Sequence, residues 1–439
     1  MIVFDPHDDQ PDPRAPGGEW TGGQWSIARY VLGIWLALRL AAWLPGWREN
    51  FGAARAFTAR FPWVVGDQAR DSGPLLGIVP NVLDWVDAPA FGGALALLAV
   101  IAAVLLAFGW RARVAALLLT YLVPCLAAHQ PLLLLPSAPW VALLLLCLAA
   151  VPKAPFLSAD ARGRINPDGG FVVPRQTFHA MWLLLVIGSA LALVDQLRDP
   201  EWRDGSAMVR LVERPGSLVA TLARAGVPLP AALLRPFAWL LMAAEVMFCA
   251  FALRTRGPAR AWGYGAVALA RAAVLALGGG DGRDEALLMV QLFAFDPGWL
   301  PAAPPTPRAH LFFDGSCGMC HQFVRVLLAE DRRAHFHVSP LQGRAITELV
   351  DAATRARLPD SVVLREPDGR VRMKSDAVAG VMVRLGGIWR LLALLLQLVP
   401  RPLRDFGYDA IARIRKRLFR TPTGACPLLP PALRARFLE

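Results

Sequence analysis

The chain has 439 residues, enough for two or three domains, and 55 % of them are hydrophobic while only 18 % are charged. Because a typical soluble protein is about a quarter charged, this composition favours a membrane protein. The formal net charge of +12 fits nucleic acid or anionic lipid, and a GC-rich genome that favours Arg explains it equally well. The sequence has no helix-turn-helix, zinc-finger or aromatic RNA-binding signature, which excludes a nucleic-acid partner.

The first 20 residues are rich in Asp and Pro, and they lack the basic and apolar regions of a signal peptide. We therefore predict a disordered tail, after which the first membrane helix directs insertion. The six cysteines do not form the pattern of a secreted disulfide framework.

Long apolar runs recur through residues 25–300, and a helix needs about 20 apolar residues to cross a bilayer. Lys and Arg in the short loops between these runs place both chain termini in the cytoplasm. The runs predict about eight spans, at 25–44, 90–109, 113–130, 137–152, 178–196, 235–253, 261–278 and 284–300.

Two ionisable residues, Glu245 and Arg271, lie inside predicted spans. Charged side chains are costly in a membrane and therefore mark candidate functional positions. Two interpretations are open. The residues form an ion pair that holds neighbouring helices, or they bind a polar substrate or a quinone-like headgroup.

A closely spaced cysteine pair, Cys317 and Cys320, follows a proline-rich stretch at 301–307 that predicts a stiff spacer. The apolar run that starts at His310 predicts a buried strand ending at Asp314, and Asp314–Gly315 is a turn signal. Residues 321–330 have helical apolar spacing. The pair is therefore expected at a strand–turn–helix junction.

This position suits redox chemistry because a helix N-terminus favours the thiolate, which is the form that attacks a disulfide. Cys317, at the exposed start of the helix, is the expected nucleophile, and Cys320 resolves the mixed disulfide. Gly318 permits tight backbone geometry, and Met319 leaves an apolar surface beside the sulfurs. Half of a zinc site, covalent haem attachment and an incidental pair are the alternatives, although a zinc site needs four ligands and no second CxxC exists.

Further strands at 336–338, 361–364 and 371–373, with helices at 342–356, 376–385 and 388–398, predict a thioredoxin-like layered domain. Folds of this kind place a cis-proline opposite the cysteine motif, and Pro359 is the candidate here. Asp314 has two possible roles, as a cap of the turn or helix and as a proton acceptor for the buried thiol.

Four features of the predicted membrane half form a pattern: Ser26–Gly33, Trp202–Ala207, Glu245 and Leu287–Pro297. Through them, about residues 20–300 resemble the HTTM domain, a bacterial relative of vitamin-K-dependent gamma-carboxylases. The resemblance assigns no carboxylase residues.

The C-terminal half, over about residues 309–430, resembles the DCC thiol-disulfide oxidoreductase family, through the Asp–Cys–Cys pattern in Phe313–Cys320. The resemblance implies exchange through a redox-active Cys317–Cys320 disulfide without another cofactor or a metal. It also implies that Asp314, Gly315, Asp360, Ser361, Ser375 and Asp376 shape the site. Further matches are Asp331–Arg333, Ser339–Gln342, Asp360–Ser361, Lys374–Ala377, Pro400–Asp405, Tyr408–Arg413 and Cys426–Pro427.

We therefore predict a multi-pass α-helical membrane domain followed by an α/β thioredoxin-like C-terminal domain. The predicted parts are a tail at 1–20, an HTTM-like domain at 21–300, a linker at 301–308 and a DCC domain at 309–439. The expected function is exchange with protein or small-molecule thiols and disulfides, in the lipid bilayer of a bacterial inner membrane, with the C-terminal domain in the cytoplasm. The alternatives are a transporter or carboxylase-like enzyme with a redox-sensing domain, and a scaffold without exchange activity.

Overall fold

The computed structural model describes residues 20–48, 81–84, 86, 88–129, 137–164, 166–213, 217–227, 229–254, 258–278, 282–359, 361–418 and 431–438. The chain divides into two compact units. We call Ala28–Pro152 with Pro174–Phe295 the helical unit, and Met1–Ile27 with Lys153–Val173 and Asp296–Glu439 the sheet unit.

The first fourteen elements of the described chain are helical. The α-helices are α1 Gly22–Ala41, α2 Pro89–Phe108, α3 Ala112–His129, α4 Ala138–Ala149, α5 Arg175–Arg198, α6 Pro200–Arg203, α7 Ser206–Glu213, α8 Leu218–Arg224, α9 Ala231–Ala252, α10 Pro258–Gly278 and α11 Arg283–Ala294, with short 3₁₀ helices at Val82–Asp84, Ala159–Ala161 and Pro297–Trp299.

The remaining elements form the small mixed α/β part of the sheet unit. In chain order they are β1 Ala309–Phe313, α12 Gly318–Glu330, β2 Phe336–Pro340, α13 Ala345–Leu349, α14 Ala352–Arg355, β3 Val363–Arg365, β4 Val371–Met373, α15 Lys374–Leu385, α16 Gly387–Leu398, α17 Arg401–Leu418 and α18 Pro431–Arg434.

A helix lies at each of the eight predicted spans, and that all eight cross a membrane stays a prediction. Within the described residues, four helices are long and apolar enough to cross one: α2, α5, α9 and α10. The 12 residues of α4 and of α11 rise only about 18 Å, against a hydrocarbon core of roughly 30 Å. In α1, the polar side chains of Gln24, Arg29 and Arg39 lower the mean hydropathy.

The long apolar helices carry rows of exposed apolar side chains, as lipid-facing surfaces do. On α2, Leu97, Ile101 and Phe108 are exposed, and on α5, Leu183 and Leu191 are exposed. Small residues such as Ala96, Ala99 and Ala103 fill the buried side of α2, which allows close helix packing. The helical unit is therefore compatible with a membrane protein.

The sheet has the strand order β2-β1-β3-β4. Strand β1 pairs with β2 in parallel and with β3 antiparallel, while β3 and β4 are antiparallel. Phe312 is opposite Val363, and Val363 is opposite Met373. This register brings the ends of β1, β2 and β4 and the start of β3 to one edge of the sheet. The arrangement is consistent with a thioredoxin-like fold.

Two details of this part differ from the sequence predictions. The helix predicted over 342–356 is two short helices, because the chain becomes extended at Val350 and Asp351 caps α14 by accepting a hydrogen bond from Thr354 N at 2.8 Å. Among the described residues the cis peptide is Thr306–Pro307, so Pro359 does not supply the cis-proline.

The sheet unit includes chain segments from well before residue 300. The buried carboxylate of Glu330, at the end of α12, accepts hydrogen bonds from Thr21 Oγ1 and from Gly23 N, the latter at 2.7 Å. A Cβ on Gly23 would lie 2.6 Å from the Glu330 carboxyl, so only glycine allows this approach. Arg332 pairs with Asp168 at 2.8 Å. These segments are part of the packing around α12.

The proline-rich stretch before β1 is bonded to the same unit. Ala303 N donates to Arg384 O at 3.0 Å, and the Ala303 carbonyl lies 2.8 Å from His335 Nε2. The segment therefore runs along the domain. The boundaries predicted for the four parts of the chain stay a prediction.

Candidate active site

The cysteine motif lies directly after β1, at the sheet edge described above. Strand β1 ends at Phe313, and α12 begins at Gly318 with Cys317 as its N-cap residue. His321 N donates to the Cys317 carbonyl at 3.1 Å, which closes the first helical turn. Cys320 lies within this turn, among backbone N–H groups that favour an anion. The predicted strand–turn–helix junction is confirmed.

Asp314 shapes the turn that leads to Cys317. Its Oδ1 accepts hydrogen bonds from Ser316 N at 2.9 Å and from Ser316 Oγ at 2.7 Å. The Cys317 N–H donates to the Asp314 carbonyl at 3.2 Å. These bonds make Asp314 a cap of the turn. Its proposed role as a proton acceptor stays a prediction.

Gln342, just after β2, connects this turn to the neighbouring strand. Its Oε1 accepts from Gly315 N at 3.3 Å, and its Nε2 lies 3.5 Å from Asp314 Oδ1. A Cβ on Gly315 would lie 3.3 Å from both Gln342 Oε1 and Pro340 Cβ, so the turn approaches β2 closely. The sequence matched Gln342 to the family but gave it no role, because only the parallel pairing of β1 and β2 brings it here.

His321 also binds the turn. Its Nε2 lies 2.9 Å from the Gly315 carbonyl oxygen, and its ring meets that of Phe313 edge to face at 5.4 Å between centroids. Within the described part of the chain, no group of three or more His, Cys, Asp or Glu side chains is placed to hold a metal ion.

Both cysteines are buried, with 3 % of Cys317 and 2 % of Cys320 exposed. The expectation that Cys317 lies at an exposed helix start is therefore wrong. The physical reason is the sheet edge itself, where Phe313 and Val362 join the two cysteines in one apolar cluster. Met319 is only partly buried and packs against this cluster, as its apolar side chain predicts.

The other predicted site residues meet at the same edge. Ser361 is buried, and the Val362 N–H donates to the Tyr408 hydroxyl at 3.0 Å. Lys374 N donates to the Val362 carbonyl at 3.2 Å, so the start of α15 lies beside the start of β3. Asp360 lies outside the described residues, and so does Cys426. Tyr408 was missed as a site residue because its position depends on the packing of α17.

Ser375 and Asp376 connect α15 to α17. Ser375 donates through Oγ and through N, the latter at 3.4 Å, to Asp405 Oδ1. Asp376 pairs with Arg404 at 2.6 Å and with Arg401 at 3.1 Å. Burial works to raise the pKa of Asp405, but the bonds from Ser375 and the charges of Arg401 and Lys374 outweigh it and leave the pKa lowered. These contacts hold α15 against α17, and the site-shaping role expected for Ser375 and Asp376 stays a prediction.

Glu245 and Arg271 meet inside the helical unit. Arg271 Nη2 lies 2.8 Å from Glu245 Oε1 and donates to Ser189 Oγ at 2.8 Å, while its Nε lies 3.8 Å from Asp284 Oδ1. Both charged side chains are fully buried. Helices α5, α9, α10 and α11 each supply one of these groups, so the predicted ion pair between neighbouring helices is present.

Comparison with known proteins agrees with this geometry. Residues 311–421 match the DCC1-like thiol-disulfide oxidoreductase family. The uncharacterized protein YuxK of Bacillus subtilis (strain 168) is 35 % identical over 136 residues, which cover 30 % of this chain and 95 % of that protein. A chloroplastic DCC family protein of Arabidopsis thaliana is 36 % identical over 115 residues, covering 26 % of this chain and 65 % of that protein.

No solved structure matches the chain. The matched residues contain the cysteine turn, the sheet edge around it and the whole of α17. Through this C-terminal part, the chain belongs to the DCC1-like thiol-disulfide oxidoreductase family.

Proposed function

We propose that this protein is a membrane-anchored thiol-disulfide oxidoreductase in which Cys317 and Cys320 exchange electrons with protein or small-molecule thiols and disulfides. The observation that carries the proposal is the position of the pair in the first turn of α12, where Asp314 and Gln342 fix the preceding turn. Helix N-termini stabilise thiolates, and a CxxC spacing lets the second sulfur reach the first.

In the reductive direction, the Cys317 thiolate attacks one sulfur of a substrate disulfide. A mixed disulfide forms, and the first substrate sulfur leaves as a thiolate that takes up a proton. The Cys320 thiolate then attacks Cys317 Sγ, which closes the Cys317–Cys320 disulfide and releases the second substrate thiol. Two electrons have passed to the substrate, and an external dithiol restores the reduced pair.

Burial of the two sulfurs adds a step before exchange. With both cysteines inside the apolar cluster, a substrate sulfur reaches Cys317 only when a covering side chain moves. Met319 and Phe323 pack against the cluster and are partly exposed, so we propose that they move. Met is unbranched and flexible, which suits a mobile cover that accepts different substrates.

The helical unit supplies the anchor in this proposal. Four helices are long and apolar enough to cross a bilayer, and the sequence features that resemble the HTTM domain lie in this half. We propose a bacterial inner-membrane location with the sheet unit in the cytoplasm. Arg370 is well exposed in the turn between β3 and β4. An Arg370→Cys variant therefore reports on which side of the membrane the sheet unit lies. Labelling by a membrane-impermeant maleimide is expected only after the cells are opened, and labelling of intact cells contradicts the cytoplasmic placement.

A second candidate function is a redox sensor that regulates a transporter or carboxylase-like activity of the helical unit. The burial of both cysteines favours it, because hidden thiols exchange slowly with substrates in bulk. The distinction is kinetic. An oxidoreductase turns over many equivalents of disulfide, whereas a sensor changes its own redox state once.

Trapping tests the proposal in the full chain. Cys320→Ser is expected to accumulate a mixed disulfide on Cys317, because the resolving thiol is gone, and the adduct is detected as a reducible band and by mass spectrometry. Cys317→Ser is expected to trap nothing. Cys147→Ser is the matched control, since Cys147 lies in α4 of the helical unit and outside the motif, and should leave turnover unchanged. If Cys320→Ser captures no partner and the native chain does not turn over a disulfide, the proposal is wrong.

A further inference from the structure

The two helices that follow α15 expose apolar strips. On α16, Leu391, Leu394, Leu395 and Leu398 are all exposed, the last to 79 %. Their spacing of three, one and three residues places them on one side of a helix. Ala393, on the opposite side, is buried, and so is Ile388 at the start of the helix. The four exposed leucines of α16 therefore lie outside the face of this helix that packs on the domain.

Helix α17 repeats this arrangement. Leu403, Phe406, Ile411 and Ile414 are exposed, Phe406 to 66 %, and their spacing again defines one side. Soluble surfaces carry scattered apolar residues, but strips on two consecutive helices are typical of an interaction surface. We call the eight side chains of α16 and α17 the apolar double strip.

The charge of α17 indicates the partner. Its sequence carries six basic residues against two acidic ones, Asp405 and Asp409. Among the described side chains, Arg401 and Arg413 are exposed. A helix with an apolar face and an excess of Arg lies at the surface of an anionic bilayer, with its apolar side among the acyl chains and its cations at the headgroups.

We propose that the apolar double strip binds the surface of a bilayer that contains anionic lipid. This inference rests on the membrane anchoring proposed above, which keeps a bilayer within reach, and is independent of thiol exchange. It assigns α17 a second role beside its contacts with α15 and with Val362. The strip would hold the redox unit against the headgroups, where thiols of other membrane proteins emerge.

A photo-crosslinker at the strip tests the proposal in the full chain. The chain with Phe406→p-benzoylphenylalanine is reconstituted into vesicles of phosphatidylcholine with phosphatidylglycerol, irradiated and analysed by mass spectrometry. We expect lipid adducts in these vesicles. The yield of adduct should fall several-fold in vesicles of phosphatidylcholine alone, and it should also fall when Arg413→Glu is added to the labelled chain. The matched control carries the crosslinker at Arg370, an exposed polar position outside the strip, and should give no lipid adduct. Retained thiol exchange shows that each labelled chain is folded.

The other outcomes overturn the proposal. Adducts of doubled protein mass show that a second copy covers the strip. Adducts within the same chain, or none, show that the strip meets no lipid. Extraction of the vesicles with alkaline carbonate tests the membrane anchor separately from the apolar double strip. A chain that is washed off has no membrane anchor. A chain that stays in the vesicles but forms no lipid adducts contradicts only the proposal that the strip binds lipid.

Discussion

The indole Nε1 of Trp389 donates a hydrogen bond to Glu330 Oε2 at 2.7 Å. Trp389 lies in α16 and Glu330 ends α12, and the same carboxyl group also accepts from Thr21 and Gly23. One buried acid therefore connects two helices of the redox domain with the residues at the start of α1. Burial raises the pKa of Glu330, although the three hydrogen bonds and Arg332 act to lower it.

Replacing Glu330 is expected to destabilise the sheet unit in a pH-dependent way. Glu330→Ala leaves three donors without their acceptor and should lower the free energy of unfolding by about 3 kcal/mol. Glu330→Gln keeps one acceptor and should lose less. Because the folded pKa is raised, the folded chain holds a proton that the unfolded chain releases, so native stability falls as pH rises from the ordinary glutamate pKa towards the raised one. Thermal unfolding of the full chain across that range measures the slope, which Glu330→Gln should flatten. If Glu330→Gln has the same slope as the native chain, Glu330 is not the group that causes the pH dependence.

Gln342 is expected to affect the rate of thiol-disulfide exchange, because its hydrogen bonds fix the turn before Cys317. Gln342→Ala removes the contacts to Gly315 N and Asp314 Oδ1, so the nucleophile loses its fixed position and the rate should fall about tenfold. The stability loss should stay near 1 kcal/mol, the usual net value of a hydrogen bond. The readout is the rate of reaction with a small aromatic disulfide against pH.

The control for this prediction is Gln322→Ala. Gln322 lies on the same α12 but is exposed and outside the turn. Equal rates in the two variants would mean that Gln342 has no positioning role.

The Glu245–Arg271 pair offers a test of its two interpretations. Arg271→Met leaves a fully buried carboxylate without its cation and should destabilise the helical unit by about 3–5 kcal/mol. The double variant with Glu245→Gln should lose less than the two single variants together, as expected for a structural pair. Unfolding of the detergent-solubilised chain gives the coupling. If the double variant folds like the native chain yet turnover of disulfide disappears, the pair serves a polar substrate instead.

How far the sequence predicted the structure depends on how local each feature is. The strand, turn and helix around Cys317 and Cys320 follow from a short stretch of apolar spacing and turn residues, and the structure has them. Burial of Cys317 could not be predicted, because Val362 reaches it only through the pairing of β1 with β3. The same holds for Tyr408 and Gln342, which come to the turn from α17 and from the end of β2.

In the helical unit, the sequence predicted the positions of the helices better than their lengths and contacts. Apolar runs located all eight helices, yet run length overestimated α4 and α11, whose ends are set by Pro152 and by Phe295–Pro297. Glu245 and Arg271 were conspicuous in sequence as charges among apolar residues. Their partner Ser189 was not, because a serine in an apolar helix is ordinary until the neighbouring helix is known.

The bonds from Thr21 and Gly23 to Glu330 have a practical meaning for anyone who studies the redox half alone. A fragment cut at the proline-rich stretch would keep Trp389 but would lack both of these donors, and Arg332 would lack Asp168. The Glu330 carboxyl group, at the far end of the helix that carries the cysteines, would keep the bond from Trp389 but lose the other two. We therefore expect a reduction potential or a thiol acidity measured on such a fragment to differ from that of the full chain. The residues at the start of α1 are thus a component of the sheet unit that carries the cysteines.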